Sequence, residues 1–177
     1  MRFFIIDTET TGFSTKHADI IEVSALEVMD TGNGYKVVRE FDSYINPQYP
    51  LPEEIIEFNK KNNTGICDEF LADKPLAREV AENLFDFLGE EPVVAGHNVG
   101  FDVRFINKLF ERNLGADFTP RKIIDTLPMC KRRFAGSHKL SDVHQYTAKK
   151  YSKNLTVYHT SLADCYATLD VLDYLNN

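Results

Sequence analysis

The alternation of apolar and polar stretches divides the first quarter of the chain into three predicted strands. Residues 2–7 read as a strand buried on both faces, because a continuous apolar run leads directly into Asp7. Residues 20–29 and 36–45 are two further strand candidates, and the Gly and Asn residues of the intervening segment, 30–34, suit a hairpin turn. The three strands are therefore expected to form an antiparallel meander.

Further along the chain, the pattern changes to helices that alternate with short strands. The clearest helix is predicted over 75–88, where apolar residues recur at helical spacing and Gly89 ends the pattern. Short strands are predicted over 92–96 and 122–125. The other predicted helices span 53–60, 100–113, 126–134, 140–150 and 161–175. A meander followed by alternating helices and strands predicts an α/β domain with a five-stranded mixed sheet flanked by helices, spanning 1–177 as one domain.

Composition narrows the class of protein. A chain of 177 residues with 43% hydrophobic and 27% charged residues can bury a sizeable core as one domain. Its apolar runs are too short to cross a bilayer, and its first residues enter a strand pattern, so we expect neither a membrane span nor a signal peptide. The three cysteines are scattered, which predicts reduced thiols in a cytoplasmic protein.

The net charge of -7 limits the kind of nucleic-acid partner that the chain can have. Proteins that grip long duplex DNA through its phosphates are usually basic, because counterion release supplies much of their affinity. The acidity therefore argues against a DNA-coating protein. It remains compatible with an enzyme that binds a short strand end through metal ions.

Two acids stand close together where the first predicted strand ends. Residues i and i+2 of a strand project from the same face, roughly 7 Å apart, so Asp7 and Glu9 are expected to lie side by side if the strand continues that far. Like charges at this spacing are costly unless a cation lies between them. Carboxylate oxygens favour Mg²⁺ or Mn²⁺ over zinc.

Three more polar residues are candidates for the same site. Asp102 begins a predicted helix after a short apolar strand, at the sheet edge where α/β proteins place their sites. Asp164 lies in the first turn of the last predicted helix. His159 is five residues earlier, and can share a site with Asp164 only if it lies just before that helix.

In order and spacing, these motifs resemble the DnaQ-like, or DEDDh, 3'–5' exonucleases. The resemblance rests on Asp7-Thr8-Glu9-Thr10-Thr11-Gly12, on His97-Asn98-Val99-Gly100-Phe101-Asp102, and on His159 followed by Asp164. Connecting segments such as 64–75 are similar to those of the bacterial DNA polymerase III epsilon subunit, and exonuclease X is another similar member. The resemblance implies a ribonuclease H-like fold. One departure is the insertion 59–63, after which Thr64 stands where epsilon-type sequences often have a histidine.

The resemblance also assigns roles to residues of this chain. Two Mg²⁺ or Mn²⁺ ions would be held by four carboxylates, and His159 would act as general base. The metal ligands are expected to be Asp7, Glu9, Asp102 and Asp164. The residues expected to line the terminal nucleotide are Thr8, Thr10, Thr11, Gly12 and Phe101. His97 and Asn98 are expected to orient their loop, and Phe13 is a second aromatic residue that could stack on a base.

Several functions remain open at this point. The resemblance implies removal of nucleoside monophosphates from 3' ends, with single-stranded DNA as the expected partner. Because the sequence ends soon after the last predicted helix, a free-standing nuclease is expected as readily as a proofreading subunit that binds a replicative DNA polymerase. An RNA-trimming enzyme of the same family is the first alternative. The second is a non-catalytic domain that binds nucleic acid or a polymerase.

Overall fold

A computed structural model describes residues 1–151 and 159–176, and these ranges contain all of the elements named here. Five strands and seven helices follow one another within these ranges. The strands are β1 (Arg2–Thr10), β2 (Ile20–Asp30), β3 (Tyr35–Tyr44), β4 (Val93–Gly96) and β5 (Lys122–Asp125). The helices are α1 (Glu53–Asn62), α2 (Asp68–Leu71), α3 (Ala77–Leu88), α4 (Gly100–Leu114), α5 (Thr126–Arg133), α6 (Leu140–Tyr151) and α7 (Ser161–Asn176).

The strands form one mixed sheet in the order β3-β2-β1-β4-β5. The first three pair antiparallel as the predicted meander, and β4 and β5 add to it in parallel. The prediction of a five-stranded mixed sheet flanked by helices is confirmed. Because β1 is central and parallel to β4, its carboxyl end lies beside the carboxyl end of β4, where sites of α/β proteins are found.

Two element boundaries differ from the predictions in ways that matter. The first strand continues to Thr10, three residues beyond its predicted end, because β2 pairs with it throughout this stretch. The helix predicted from residue 75 begins at Ala77 instead. Pro75 and Leu76 remain extended because the Pro75 carbonyl accepts the backbone N–H of Asn46, at a parallel bridge between Asn46 and Leu76. The short helix α2 had no counterpart among the predictions.

Apolar residues fill both sides of the sheet. Helices α3 and α4 cover one side, where Phe4 and Ile6 of β1 pack with residues such as Leu84 and Phe105. Helix α7 covers the other side, and its Cys165 and Leu172 pack with Phe3, Ile5 and Leu26. Alternate residues of β1 thus face different helices, as the twofold period of a strand requires. Asp7 and Glu9, further along β1, continue this alternation.

Two expectations from composition can be compared with the structure. Within 1–151 and 159–176, no helix is long and apolar enough to cross a membrane. The three cysteines were predicted to be reduced thiols. The structure has free thiols at Cys67, Cys130 and Cys165.

Candidate active site

The end of β1 presents Asp7 and Glu9 on the side of the sheet that α7 covers. Both residues lie within the strand, and each is paired in register with a residue of β2: Asp7 with Ser24, and Glu9 with Glu22. The predicted extended conformation, with both acids on one face, is therefore confirmed. A register shift follows immediately, between Glu9 and Thr10, and Thr10 then pairs with Ile20 at the end of the ladder.

Asp164, in the first turn of α7, completes a cluster of three carboxylates. One oxygen from each of Asp7, Glu9 and Asp164 lies within 4.8 Å of the other two. All three side chains are partly buried, and Oδ1 of Asp164 is buried without a hydrogen-bond donor among the described residues. A hard cation with oxygen ligands at about 2.1 Å fits among oxygens so spaced. The donor set therefore fits Mg²⁺ or Mn²⁺.

Asp102 approaches the strand from the opposite side. It lies in the first turn of α4, is buried, and is not part of the three-carboxylate cluster. Its Oδ1 accepts a hydrogen bond of 2.7 Å from the hydroxyl of Thr8, the residue between the two acids of β1. The structure thus brings Asp102 to the end of β1 but places it against Thr8. Its predicted role as a fourth metal ligand remains a prediction.

The carboxylates repel one another in the absence of a cation. Burial, and then the charges of Asp102 and Asp164, raise the pKa of Asp7 well above its ordinary value. Burial and the neighbouring charge of Asp164 raise the pKa of Glu9 to about 8. Burial also raises the pKa of Asp164 to about 6 and that of Asp102 to about 7. Shifts of this kind mark sites where a bound positive charge would be strongly favoured.

His159 lies two residues before α7, as its predicted role requires. Its backbone is in the left-handed region, with φ of 69°, which a residue other than glycine adopts rarely. The imidazole is partly exposed, and Phe58 of α1 meets it edge-on, with ring centroids 5.3 Å apart. Burial lowers its pKa from the ordinary 6.5, which keeps the ring neutral and able to accept a proton.

Thr10, the last residue of β1, and Thr11 use their hydroxyls within the protein. Thr10 donates to the carbonyl of Gly12 over 2.7 Å, and Thr11 accepts the backbone N–H of Asp19 over 3.0 Å. A Cβ at Gly12 would lie 3.3 Å from the Ala18 side chain, so this loop packs tightly. The hydroxyls shape the loop, and the predicted contacts of Thr8, Thr10, Thr11 and Gly12 with a nucleotide remain predictions.

The turn between β4 and α4 positions Asp102. Both ring nitrogens of His97 are engaged, with the Thr126 hydroxyl at 2.9 Å and the His138 carbonyl at 2.8 Å, which agrees with its expected orienting role. The backbone N–H of Asn98 donates to Asp125. Phe101 is partly buried against Phe105 and the core, so packing accounts for much of its surface. Its predicted contact with substrate remains a prediction.

Two features of the site had not been predicted from the sequence. Glu22 of β2 is fully buried beside the cluster, and burial raises its pKa to about 7. The available signal was an acid in the middle of an otherwise apolar strand, Ile20-Ile21-Glu22-Val23. The second feature is the hydrogen bond between Thr8 and Asp102, which joins residues 94 apart in sequence and left no local signal.

Comparison with known proteins gives the chain a clear set of relatives. The family model described as "Exonuclease" (RNase_T) matches residues 4–172. PolC-type DNA polymerase III of Bacillus cereus is 34% identical over 168 residues, which are 94% of this chain and 11% of that protein. The Bacillus subtilis protein of the same description is 31% identical over 172 residues, 96% of this chain and 11% of that protein. The chain thus spans about a ninth of the length of these relatives.

Solved structures of exonuclease I have the same fold. One of them superimposes on 99% of this chain and 40% of its own, with a TM-score of 0.77 and 18% identity. The Escherichia coli enzyme in complex with a dT13 oligonucleotide gives a TM-score of 0.76 at 19% identity, covering 99% of this chain and 41% of its own. The sheet and its flanking helices thus form the expected ribonuclease H-like fold.

Proposed function

From the premise that the chain belongs to the DnaQ-like exonuclease family, we propose that residues 1–177 form one metal-dependent 3'–5' exonuclease unit. It releases nucleoside monophosphates from the 3' ends of DNA. The observation that carries the proposal is the meeting of Asp7, Glu9 and Asp164, whose oxygens lie within 4.8 Å of one another. Asp164 is far in sequence from Asp7 and Glu9. Carboxylates held this close repel one another, which destabilises the fold unless a cation is bound between them.

Two divalent cations, Mg²⁺ or Mn²⁺, are the proposed cofactors. Asp7, Glu9, Asp164 and Asp102 would hold the pair of ions, the first three through the oxygens that already lie together. When bound, such a pair lowers the pKa of an attacking water and stabilises the charge on the phosphate and the departing oxygen. The unpartnered Oδ1 of Asp164 and the raised pKa of Glu9 both support a site for positive charge.

His159 is the proposed general base. Burial lowers its pKa below the ordinary 6.5, so the ring is neutral near pH 7, and the residue is partly exposed two positions before α7. The backbone N–H of His159 lowers the pKa of the Asp164 carboxyl. The backbone of the proposed base thus lies beside a proposed metal ligand. The imidazole would take the proton of the attacking water and pass it to solvent.

The proposed substrate is a single-stranded 3' end, held at the loop that follows β1. Phe13 is 92% exposed there, directly after Gly12, and an exposed aromatic ring offers a stacking surface for a base. Exonuclease I has been crystallised with single-stranded oligonucleotides, and the polymerases among the relatives act on DNA. With its free thiols, the chain is proposed to act in the cytoplasm, alone or beside a replicative polymerase.

The decisive experiment follows the ends of the substrate. Single-stranded DNA, duplex DNA and RNA oligomers of matched sequence, each labelled at the 5' end, are incubated with Mg²⁺, Mn²⁺ or EDTA. We expect a descending ladder that keeps the label, fastest on single-stranded DNA and absent in EDTA. Immediate release of a labelled mononucleotide would contradict the 3'–5' direction. Degradation of RNA alone would replace DNA with RNA as the substrate.

A further inference from the structure

A second buried acid stands beside the three-carboxylate cluster. Glu22 lies directly across the β1–β2 ladder from Glu9, and residues so paired carry their side chains on the same face, with Cβ atoms about 5 Å apart. The side chain is 0% exposed. Because Glu9 belongs to the cluster, this pairing places Glu22 on the cluster's side of the sheet.

Neither oxygen of Glu22 makes a hydrogen bond to any group in the described part of the chain. Its polar neighbours are Tyr44 of β3 and Ser161 of α7, near enough to moderate its pKa but outside hydrogen-bonding geometry. The adjacent hydroxyls instead satisfy one another, since Ser24 bonds both Asp42 and Ser161 over 2.6 Å. A buried carboxylate without a donor is rare, because losing its hydration is costly.

A second buried glutamate on the same strand provides the contrast. Glu27 is 6% exposed, and Arg2 and Arg39 each form a salt bridge with it. Its side chain points to the opposite face of the sheet and away from the cluster, five residues along β2. This strand therefore pairs one of its buried glutamates with protein cations and leaves the other facing the proposed metal site.

We propose that Glu22 is a positioning residue of the metal site, a carboxylate that accepts hydrogen bonds from water bound to the metal ions. Mg²⁺ and Mn²⁺ keep part of their hydration shell in protein sites, and acceptors just outside the ligand set orient that water. Glu22 would thereby fix the ions against Glu9 and add to their affinity without ligating them. The inference rests on the proposed function, since it needs a metal at Asp7, Glu9 and Asp164.

The test compares Glu22→Gln with Glu27→Gln, the same substitution at a buried position of the same strand. Mn²⁺ binding is measured by calorimetry at pH 8 on the metal-free, full chain without substrate. The melting temperature is recorded in EDTA and in Mn²⁺. We expect Glu22→Gln to weaken Mn²⁺ binding about tenfold or more. Its melting temperature in EDTA should be equal to or above that of the original chain, because a repelled charge is removed.

Glu27→Gln should do the reverse, lowering the melting temperature through two lost salt bridges while its Mn²⁺ affinity stays within about twofold. Excess Mn²⁺ should restore the exonuclease rate of Glu22→Gln, which a merely misfolded variant would not allow. Unchanged Mn²⁺ affinity in Glu22→Gln, or a metal-free variant that does not fold, would overturn the inference alone. An original chain that takes up no Mn²⁺ would overturn the proposed function and this inference with it.

Discussion

On the side of β1 that faces α7, Asp7, Glu9 and Asp164 crowd together, and Oδ1 of Asp164 has no donor in the described ranges. On the side that faces α4, the single acid Asp102 is held by a hydrogen bond from Thr8. The acids on the α7 side repel one another and would be stabilised by a bound cation. The second side already holds its acid in place through a hydroxyl. One strand end therefore combines carboxylates that repel one another on one face with a hydrogen-bonded acid on the other.

The largest effect should come from removing an acid on the α7 side. Asp7→Asn keeps the size of the side chain but takes away one carboxylate of the three-carboxylate cluster. The lost stabilisation of the transition state, about 4 kcal/mol, should lower the exonuclease rate about a thousandfold. Single-turnover cleavage in Mg²⁺ measures it. The exposed Asp86→Asn is the control and should keep full activity. Full activity in Asp7→Asn would remove this residue from the site.

His159 belongs to the α7 side without being part of the cluster, so its loss should separate chemistry from metal binding. His159→Ala should lower the rate about a hundredfold or more, because a positioned general base is removed. Its Mn²⁺ affinity by calorimetry should change little. The exposed His17→Ala serves as the matched variant. A parallel loss of rate and affinity would indicate that the imidazole supports the metal site instead.

The α4 side can be tested through Thr8. Thr8→Val keeps the shape but leaves Oδ1 of Asp102 without its donor. Because partners of metal-binding carboxylates are worth about a factor of ten in affinity or activity, we expect a rate about tenfold lower. Thr8→Ser, which keeps the hydroxyl, should restore most of the rate. If Val and Ser behave alike, the hydrogen bond does not prepare Asp102.

The smallest effect is on stability, and its sign distinguishes repulsion from pairing. The pKa values of Glu9, about 8, and Asp164, about 6, lie above those of an unfolded chain, near 4. The folded metal-free protein therefore holds more protons across this window, and its stability falls as pH rises from about 4 to 8. Asp19, whose pKa is lowered, adds stability that is fully present above about pH 4 and is lost only at lower pH, so it does not affect this window.

We accordingly expect a lower melting temperature in EDTA at pH 8 than at pH 5.5, by several degrees. Mn²⁺ should reduce or reverse the difference, because bound cations favour the ionised carboxylates. Melting followed by circular dichroism at the two pH values, with and without Mn²⁺, measures both effects. A metal-free protein that is more stable at pH 8 would contradict the repulsion.

Local signals in the sequence were enough for much of this arrangement. The spacing of two in a strand predicted that Asp7 and Glu9 share one face, and the resemblance to DnaQ-like exonucleases implied that Asp164 would join them. Alternation of apolar stretches likewise predicted the five strands. The features that could not be predicted depend on packing between elements that are distant in sequence. Pro75 suits a first helical turn, but pairing of its neighbour with Asn46 kept it extended.

The same distinction explains why the hydrogen bond between Thr8 and Asp102, and the presence of Glu22 beside the cluster, were not predicted. A threonine in a strand is ordinary, and its partnership with Asp102 exists only because α4 packs over that face of β1. Glu22 looked like one polar position of a strand. Its significance depends on the register that sets it opposite Glu9 and on the cover provided by α7. Such pairings follow from tertiary contacts that no short window of sequence contains.

The hydrogen bond between Ser24 and Ser161 fastens α7 to the sheet across 137 residues, and it carries a consequence for biosynthesis. Translation delivers β1 early and α7 after every other element described. A growing chain on the ribosome presents Asp7 and Glu9 without the carboxylate that closes their cluster. The three-carboxylate cluster is therefore complete only once α7 has been synthesised and has packed against the sheet.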